Sequence, residues 1–587
     1  MNGQSYSRIN KLFDGDPAAF YHSFRIPAIV RATGSVLLAF CEGRVGDNDD
    51  WGNINLVYKR STDNGLSWSS LMQLVGVGPG SWTNPTAVYE APWSGHPNGR
   101  VHLFFNWHDA SHTSMATIGH GDRRTYYTWS DDDGQTWQPY QNLTSTLLPP
   151  TFTWDAVGPG NGMQKVLAPN VGRLIVPAIH RNFHSDDHGA TWHYTMMPTV
   201  STANITSEST IAECNDGTLY RNDRATGPYW TQNSRRWISY GEIGNFPTPT
   251  PQLNLLDPRS QASMLRYNLS APGRLIFLNS DSTATRRRMK VRMSYDDGQT
   301  WPRERWLYVG TPPDNHATIG TAESAGKGGY SSMTKTADFR IAALVEVNES
   351  FTSTSDSYSL DFHRFDLAWI RNGQSDLVGP ELTTTVTGSL PNVTDGAFVF
   401  AGTGLLGVTE VILGGRHIVS QSASTWESGW FDIVSATRIE VHPPQAMPPG
   451  TYPLVVEGNQ YRSQKKDVSI TLSRTPVLHA VDRPLRTFRL FASLGSGYSA
   501  QTRSFLGFST SPIATIYPGI VALGIGNAGT SLFVANPVAF DPQSSTFSWT
   551  IPDLTGYPPL YFQAAHIDLL GNPIFPLQTT NVELVTP

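Results

Sequence analysis

The 587-residue sequence predicts an all-β protein on three observations. No long stretch has apolar residues at the i, i+3, i+4 and i+7 spacing of an amphipathic helix. Short apolar runs instead follow turn residues, as in "GSVLLAF", "GRVHLFF" and "GRLIFLN", which is typical of short strands. The third observation is a short phrase that recurs along the first half of the chain.

The recurring phrase is Ser-x-Asp-x-Gly-x-(Thr/Ser)-Trp. It begins without departure at Ser61, Ser130, Ser185 and Ser294, at spacings of 69, 55 and 109 residues. Because the last spacing is nearly twice the second, a weaker copy is expected between them. The segment "SYGEIGNF" from Ser239 fits this position, with Phe in place of Trp.

A repeat of about 55 residues made of short strands is typical of propeller blades. The phrase itself suits a tight turn between two strands. Its Asp accepts backbone N–H groups ahead of it, its Gly adopts a positive φ, and its Trp packs beneath the turn. These roles are structural, so function has to be argued from a site elsewhere.

Composition excludes several classes of protein. A net charge of −6 gives no basic footprint for nucleic acid, and no run of 18 apolar residues is present to span a membrane. The first ten residues contain no apolar segment, so a signal peptide is expected to be absent or already removed. Cys41 and Cys214 are too few for a disulfide framework and wrongly spaced for zinc, which predicts two buried thiols.

The four turns, preceded by "FRIP" at residues 24–27, resemble the sialidase (neuraminidase) superfamily, in which such turns are known as Asp boxes. The resemblance runs from about residue 24 to about residue 366. It implies a six-bladed β-propeller over residues 1–372 and a retaining exo-sialidase acting on terminal sialic acid, or related nonulosonic acid, glycosides. The implied partners are sialylated glycans of glycoproteins, glycolipids and oligosaccharides, and no metal or cofactor is expected.

Binding the substrate's carboxylate calls for arginine, because a guanidinium pairs bidentately with a carboxylate and stays charged. The resemblance implies three such residues, namely Arg25 in "SFRIPAI", Arg224 in "LYRNDR" and Arg286 in "TATRRRMKV". Arg286 lies eight residues before the Ser of an Asp box. Arg287 and Arg288 adjoin it and remain alternatives.

A carboxylate nucleophile would approach an anionic substrate against charge repulsion, which a neutral tyrosine avoids when a base takes its proton. Tyr330 in "GKGGYSSM" resembles the family's tyrosine, although Ser332 stands where the family has Asp. Glu208 in "TSESTIAEC" matches the glutamate that activates it. Glu213 is a rival on the same strand, but its odd offset from Glu208 sends it to the opposite face.

The resemblance implies that Asp50, in the loop "GDNDDW", is the general acid, with Asp47 and Asp49 as alternatives. A loop carboxylate in contact with water can act as an acid and then as a base. Arg44 is expected to support the acid or the substrate's carboxylate, and Glu346 in "ALVEVN" to hold the first arginine.

Two further segments bear on the pocket. Gln164 in "GPGNGMQ" and the Asn84-Pro85 pair match pocket-lining motifs of the family, and Gln164 is expected to contact substrate. Many relatives have Tyr after the strand that here continues as "VPAIHRNF". Ile179 and His180 take that place, so contacts to the glycerol tail or acyl group are expected to differ.

Beyond residue 380 the sequence resembles an Ig-like domain of the IPT/TIG type, with alternating strands and frequent turn signals. We expect an Ig-like β-sandwich over 380–472, a β-rich domain over 473–587, and an extracellular or cell-surface location. A Kdn-preferring glycosidase or a trans-sialidase would share the same site and remains an alternative. A non-catalytic sialoglycan-binding propeller is a further alternative, which predicts loss of the catalytic candidates.

Overall fold

The computed structural model divides by its internal contacts into two compact units, residues 1–378 and 379–587. The residues whose structure is described are 5–76, 78–198, 206–226, 234–310, 328–348, 357–385, 389–391, 398–420, 429–444, 447 and 450–471, together with the later strands named below.

The described part of the first unit contains 25 strands. In chain order they are β1 Tyr6–Phe13, β2 Ser23–Arg31, β3 Leu37–Arg44, β4 Ile54–Ser61, β5 Met72–Val75, β6 Ser81–Glu90, β7 Arg100–His108, β8 Arg124–Ser130, β9 Gln141–Asn142, β10 Gly160–Asn161, β11 Met163–Gln164, β12 Leu174–Ala178, β13 Arg181–Ser185, β14 His193–Met196, β15 Ser209–Glu213, β16 Leu219–Asp223, β17 Arg235–Gly241, β18 Thr250–Leu256, β19 Ser263–Asn268, β20 Arg274–Ser280, β21 Met289–Ser294, β22 Arg303–Trp306, β23 Ser331–Lys335, β24 Ile341–Asn348 and β25 Tyr358–Phe365.

These strands form five sheets. Four of them have four antiparallel strands each, in the orders β1-β25-β24-β23, β11-β12-β13-β14, β15-β16-β17-β18 and β19-β20-β21-β22. The fifth has nine strands in the order β2-β3-β4-β6-β7-β8-β9, with β5 paired to β4 and β10 paired to β6. The first strand of the chain completes the last sheet of the unit, because β1 pairs antiparallel with β25.

Strand β3 illustrates how the sheets share their cores. Side chains alternate between the two faces of a strand. Leu38 and Phe40 join one apolar cluster with residues of β2, β6 and β7, whereas Leu37, Ala39 and Cys41 join another with residues of β24 and β25. Both faces of β3 are therefore buried, which explains its nearly continuous apolar sequence.

The repeated phrases occupy equivalent turns. Four copies begin at the last residue of β4, β8, β13 and β21, and the copy at Ser239 begins two residues before the end of β17. Each copy leads into the next strand, so the turn expected in the segment from Ser239 is confirmed. In the first copy the Ser61 hydroxyl donates to Asp63 (2.7 Å) and accepts the N–H of Gly65 (2.8 Å). The copies at Ser130, Ser185 and Ser294 repeat both bonds. The Ser239 hydroxyl, without that Asp, donates instead to the Pro247 carbonyl (2.7 Å).

Gly65 shows what these turns do for packing. Its φ is +85°, and a Cβ atom on it would lie 2.4 Å from the ring of Phe362 on β25. Trp68 of the same turn meets that ring edge-to-face at 5.1 Å between centroids. The turn therefore packs the nine-stranded sheet against the sheet that contains β1 and β25, the first and last strands of the unit.

The cysteines and helices are minor features of this unit. Cys41 and Cys214 are buried thiols in separate apolar clusters, as the sequence predicts, and burial raises the pKa of Cys41. Two short α-helices occur in the described residues of this unit, α1 Thr144–Leu147 and α2 Leu367–Arg371, with a 3₁₀ turn at Met115–Thr117, and the second unit has a 3₁₀ turn at Leu405–Gly407. None of the described helices has the length and apolar content needed to cross a membrane.

The second unit is also β-structure. Its described strands are β26 Glu381–Thr385, β27 Ser389–Pro391, β28 Phe398–Thr403, β29 Glu410–Leu413, β30 Arg416–Ile418, β31 Trp430–Ser435, β32 Arg438–His442, β33 Gly450–Gly458, β34 Tyr461–Arg462, β35 Lys466–Thr471, β36 Val477–Val481, β37 Phe488–Ser493, β38 Thr502–Ser509, β39 Thr515–Tyr517, β40 Val521–Leu523, β41 Phe533–Val534, β42 Val538–Ala539, β43 Thr546–Ile551, β44 Leu560–Asp568, β45 Gln578–Thr579 and β46 Glu583–Val585. The sheets β26-β28-β32-β31 and β27-β35-β33-β29-β30 contribute to one buried apolar cluster, which includes Phe400, Ile439, Val411 and Val456.

We expect Gly65→Ala to destabilise the first unit more than Gly121→Ala. Both glycines have a φ of +85°, so both variants carry the same backbone strain, but nothing lies within 4 Å of a Cβ atom on Gly121. The clash with Phe362 should add about 1–3 kcal/mol, typical of overpacking. Thermal unfolding of the two variants checks this, and equal melting temperatures would contradict the packing role of the turn.

Candidate active site

A cavity of about 790 Å³ in the first unit contains most of the candidate residues singled out in the sequence. Those that line it are Arg25, Arg44, Asp50, Asn84, Ile179, His180, Glu208, Arg224, Arg286 and Tyr330. They come from strand ends and loops of several sheets, which is where residues of a site on a rigid scaffold are usually found.

Arg25 enters the cavity from a bulge in β2. The register of β2 with β3 shifts between Arg25 and Ala28, and Pro27, which lacks an N–H, lies within the shift. Ile26 has a φ of +57°, an outlier for a β-branched residue. Its N–H donates to the Glu346 carboxylate (2.9 Å), which holds this strained backbone in place.

Glu346 on β24 is the acceptor for both Arg25 and Tyr330. Its buried carboxylate accepts from the Arg25 Nε (3.2 Å) and from the backbone N–H of Tyr330 (3.0 Å). Although burial acts in the opposite direction, the Arg25 charge and the N–H groups of Ile26 and Tyr330 lower the pKa of Glu346. Glu346 therefore stays ionised and fixes the positions of both neighbours.

Tyr330 forms a short hydrogen-bonded group with Glu208 and Arg224. Its hydroxyl donates to Glu208 Oε1 (2.5 Å) and accepts from Arg224 Nη1 (2.6 Å), which also pairs with the other Glu208 oxygen. Burial raises the pKa of Tyr330 despite the nearby Arg224 charge. The phenol is thus protonated at neutral pH, and a carboxylate lies in contact with its proton.

Three guanidinium groups surround the Tyr330 phenol. Arg224 contacts the hydroxyl, and the guanidinium carbons of Arg25 and Arg286 lie 5.6 and 5.0 Å from the ring centroid. Of the three consecutive arginines only Arg286 lines the cavity, whereas the guanidinium of Arg288 lies over the ring of Trp306 at 5.2 Å. The arrangement creates a cationic wall beside a neutral phenol.

Asp50 faces this wall from the loop after β3. Its carboxylate lies 2.8 Å from Arg44 and 3.3 Å from Arg25, and 66% of the side chain is exposed. Desolvation in the cavity opposes ionisation, but the charges of Arg44 and Arg25 outweigh it and lower the pKa of Asp50. Arg44 is itself held by Glu42 at 2.7 Å. Asp50 is therefore a carboxylate in the free protein.

The competing carboxylates do not line the cavity. Asp47 accepts the backbone N–H of Asp49 (3.0 Å) within the exposed part of the loop. Glu213 accepts the N–H groups of Val166 and Leu167 (2.8 and 3.0 Å). These contacts give the side chains of Asp47 and Glu213 local structural roles.

Gln164, which is expected to contact substrate, does not line this cavity. Its side-chain oxygen accepts the N–H of Ala91 (2.9 Å), and its amide nitrogen donates to the Gly172 carbonyl (3.3 Å). Both ends of the amide are thus used to connect neighbouring backbone segments. The contact between Gln164 and substrate stays a prediction.

Other residues of the cavity have no local sequence signal. The aromatic residues Trp51, Phe152 and Trp154 line it, and the buried Arg123 lies 4.1 Å from the Trp154 ring centroid. Arg123 donates to the Asn84 side chain (2.9 Å), which sits on a bulge of β6 that resembles the one at Arg25. Each of the two bulges contains a proline, Pro27 in β2 and Pro85 in β6, and this shared pattern is the sequence signal for the part of the cavity around Asn84.

Comparisons with known proteins identify the family of this chain. A BNR repeat-like domain family matches residues 79–342. An exo-alpha-sialidase from Aspergillus fumigatus is 38% identical over 381 residues, which are 61% of this chain and 87% of that protein. An exo-alpha-sialidase from Arthroderma benhamiae is also 38% identical over 381 residues, covering 61% of this chain and 86% of that protein.

The solved NanB sialidase from Streptococcus pneumoniae has a TM-score of 0.50 and 13% identity, covering 61% of this chain and 70% of its own. Its likeness concerns the fold, which in sialidases is a β-propeller. The fold and the site together define a glycoside hydrolase built on a propeller. The chain belongs to the sialidase family.

We expect Glu346→Gln to destabilise the protein strongly. All the groups that contact Glu346 are donors, so an amide would place its own N–H₂ against them and leave the Arg25 charge without its buried partner. Breaking a buried pair in this way costs about 3–5 kcal/mol. Chemical unfolding measures the difference.

The matched control is Glu304→Gln. Glu304 also pairs with a cation, Lys290 at 2.9 Å, but its side chain is 48% exposed. Surface pairs of this kind contribute about 0–1 kcal/mol. A Glu346 variant as stable as the control would contradict the role assigned to the buried carboxylate.

Proposed function

We propose that this protein is a retaining exo-sialidase, which hydrolyses terminal α-glycosides of sialic acid or a related nonulosonic acid through a covalent intermediate on Tyr330. The observation that carries the proposal is the 2.5 Å hydrogen bond from the Tyr330 hydroxyl to Glu208, surrounded by three arginines. The two fungal relatives at 38% identity, both exo-alpha-sialidases, support the activity.

Substrate binding would begin at the arginines. In this proposal Arg25, Arg224 and Arg286 bind the carboxylate on the anomeric carbon. Arg25 is prepared for this because Glu346 holds its Nε and leaves its Nη1 near Asp50, at 3.3 Å. The clamp would place the anomeric carbon beside the Tyr330 hydroxyl, with the carboxylate's charge compensated.

The first chemical step forms the Tyr330 Oη–C2 bond and breaks the bond from C2 to the leaving oxygen. Glu208 accepts the phenolic proton as the new bond forms, and Asp50 donates a proton to the leaving oxygen. A neutral phenol avoids the repulsion that a carboxylate nucleophile would meet from the anionic substrate. Its raised pKa makes the contact with a base necessary.

Asp50 has to gain a proton before it can act as the acid. In the free protein its pKa is lowered by Arg44 and Arg25. A substrate carboxylate bound to Arg25 would compensate part of the positive charge beside Asp50. The aglycone would exclude water from the 66% of the Asp50 side chain that is exposed. Both changes favour the protonated form.

The second step reverses the first. Asp50, now a carboxylate, accepts a proton from a water molecule whose oxygen bonds to C2. The Tyr330–C2 bond breaks, and Glu208 returns the proton to the phenolate oxygen. Two displacements at C2 restore the α configuration of the substrate.

The architecture around this site is part of the proposal. We propose that the first unit is a six-bladed propeller in which the nine-stranded sheet contributes two blades, which is supported by the two Asp-box turns after β4 and β8. We further propose an Ig-like sandwich over 380–472, supported by the apolar cluster shared between its two sheets, and a separate β-rich domain over 473–587. Glycan substrates favour an extracellular or cell-surface location.

We expect Arg25→Ala to weaken the binding of free N-acetylneuraminic acid by about 10-fold or more. The change removes charge-assisted hydrogen bonds to a desolvated carboxylate, each worth about 1.5–3 kcal/mol. Isothermal titration calorimetry measures the affinity. Arg173→Ala is the control, because Arg173 is paired with Asp186 at 2.7 Å outside the cavity. Equal affinity of the two variants would mean that the clamp is wrongly placed.

We expect Asp50→Ala and Tyr330→Phe to respond differently to the leaving group. A 4-nitrophenyl glycoside needs little protonation to depart, so Asp50→Ala should keep much more of its activity on it than on sialyl-lactose. Acid catalysis contributes about 10²–10⁴-fold, which sets the size of the difference. Tyr330→Phe should lose activity on both substrates because no covalent intermediate forms. Initial rates on the two substrates are the measurement.

Asp47→Ala is the matched control and should behave as wild type, because Asp47 does not line the cavity. Equal losses for Asp50→Ala on both substrates would argue against its role as the acid. NMR of the first-formed product should show the α anomer, and a β product would contradict the tyrosine mechanism. Wild-type protein that binds sialosides but cleaves none would contradict the activity itself.

A further inference from the structure

The turn between β12 and β13 presents a histidine to the cavity. His180 lines the cavity wall, yet only 2% of the residue is exposed. Neither of its ring nitrogens has a hydrogen-bonding partner among the described residues of the protein. Buried polar side chains are normally satisfied, so these two nitrogens require a partner from outside the chain, either water or a ligand in the cavity.

The backbone of this turn is held by two buried guanidinium groups. Arg181 donates to the Ile179 carbonyl (3.0 Å) and Arg221 to the Ala178 carbonyl (2.8 Å). The His180 carbonyl accepts the N–H of Met197 (2.7 Å). His180 itself has a φ of +59°, a conformation that this contact network maintains. The backbone that carries the imidazole is therefore held in place.

The imidazole is also neutral. Burial, together with the charges of Arg221 and Arg181, lowers the pKa of His180 to about 3. At any pH near neutrality one ring nitrogen donates and the other accepts. Such a ring suits an uncharged substituent such as a hydroxyl or an amide, whereas an anion is better bound by the arginines that line the cavity.

Apolar side chains adjoin this ring. Phe152 meets it edge-to-face at 6.0 Å between centroids. The cavity is also lined by Ile179, Ala156 and Met196. The Ile179 N–H donates to the Ala156 carbonyl (2.8 Å), and Met196 pairs with Arg181 in the adjoining strand pair. Where apolar side chains adjoin a polar ring, one directional hydrogen bond to that ring helps to decide which substituent fits.

We propose that His180 is a specificity-determining residue, which hydrogen-bonds an uncharged polar substituent of the sugar on the side away from its carboxylate. The proposal rests on the proposed function, because it takes the sugar to lie in this cavity with its carboxylate on the arginines. The shared chemistry is a hydroxyl or an amide, and three groups of a nonulosonic acid supply it: an acetamido group, a hydroxyl in its place, and the glycerol tail.

The experiment compares kcat/KM on three 4-methylumbelliferyl α-glycosides. One carries N-acetylneuraminic acid, one carries Kdn, which has a hydroxyl instead of the acetamido group, and one carries N-acetylneuraminic acid with a truncated tail. His180→Phe keeps a planar ring but removes both nitrogens. We expect a loss of about 10- to 100-fold on the substrates that contain the contacted group, and less than about threefold on a substrate without it.

The pattern of losses identifies the contacted group. Sparing of Kdn alone indicates the acetamido group, sparing of the truncated substrate alone indicates the tail, and a loss on Kdn alone indicates the hydroxyl. His180→Asn, which keeps a donor and an acceptor and tolerates a positive φ, should recover part of the loss. His184→Asn is the control, because His184 lies on the same hairpin but does not line the cavity.

Three results would overturn the proposal. One is the same fold-loss on all three substrates for His180→Phe, which would indicate a structural role. Another is an unchanged kcat/KM on all three. The third needs no variant, and consists of wild-type protein that cleaves the three substrates with equal kcat/KM. Wild-type protein that cleaves none of them would instead overturn the proposed function on which this inference rests.

Discussion

The buried carboxylate of Glu346 is the contact on which the cavity depends. It joins the bulge of β2 to the segment that enters β23, because it accepts from Arg25, from Ile26 and from Tyr330. A buried carboxylate alone would be unfavourable, but here a cation and two backbone donors satisfy it. Since one residue positions both Arg25 and Tyr330, the cationic wall and the phenol form a single rigid unit.

The repeated turns keep the sheets behind this unit in place. The glycine of each intact phrase lies against a side chain of a neighbouring strand, as Gly65 does against Phe362, Gly134 against Leu38 and Gly298 against Tyr220. None of these residues lines the cavity. The scaffold and the site are thus built from different parts of the sequence, so the loops are free to carry chemistry.

The charges of the cavity are arranged in pairs. Arg25, Arg44 and Arg224 each lie beside a carboxylate, namely Glu346, Asp50 and Glu208, respectively. An anionic substrate that enters such a site competes with these carboxylates for the guanidinium groups. In the proposed mechanism this competition, rather than a permanently perturbed acid, prepares Asp50 for proton transfer.

By itself the sequence determined the all-β class, the positions of the turns and the candidate residues whose motifs are short and local. It did not decide which acid of the Asp47–Asp50 loop or which arginine of 286–288 faces the cavity, because side chains in a loop follow no fixed period. It also led to Gln164, whose amide is used by neighbouring backbone. Only the tertiary structure decided these points, because burial and hydrogen bonding depend on contacts between separate segments of the chain. The same holds for Arg123, Trp154 and His180, which line the cavity together.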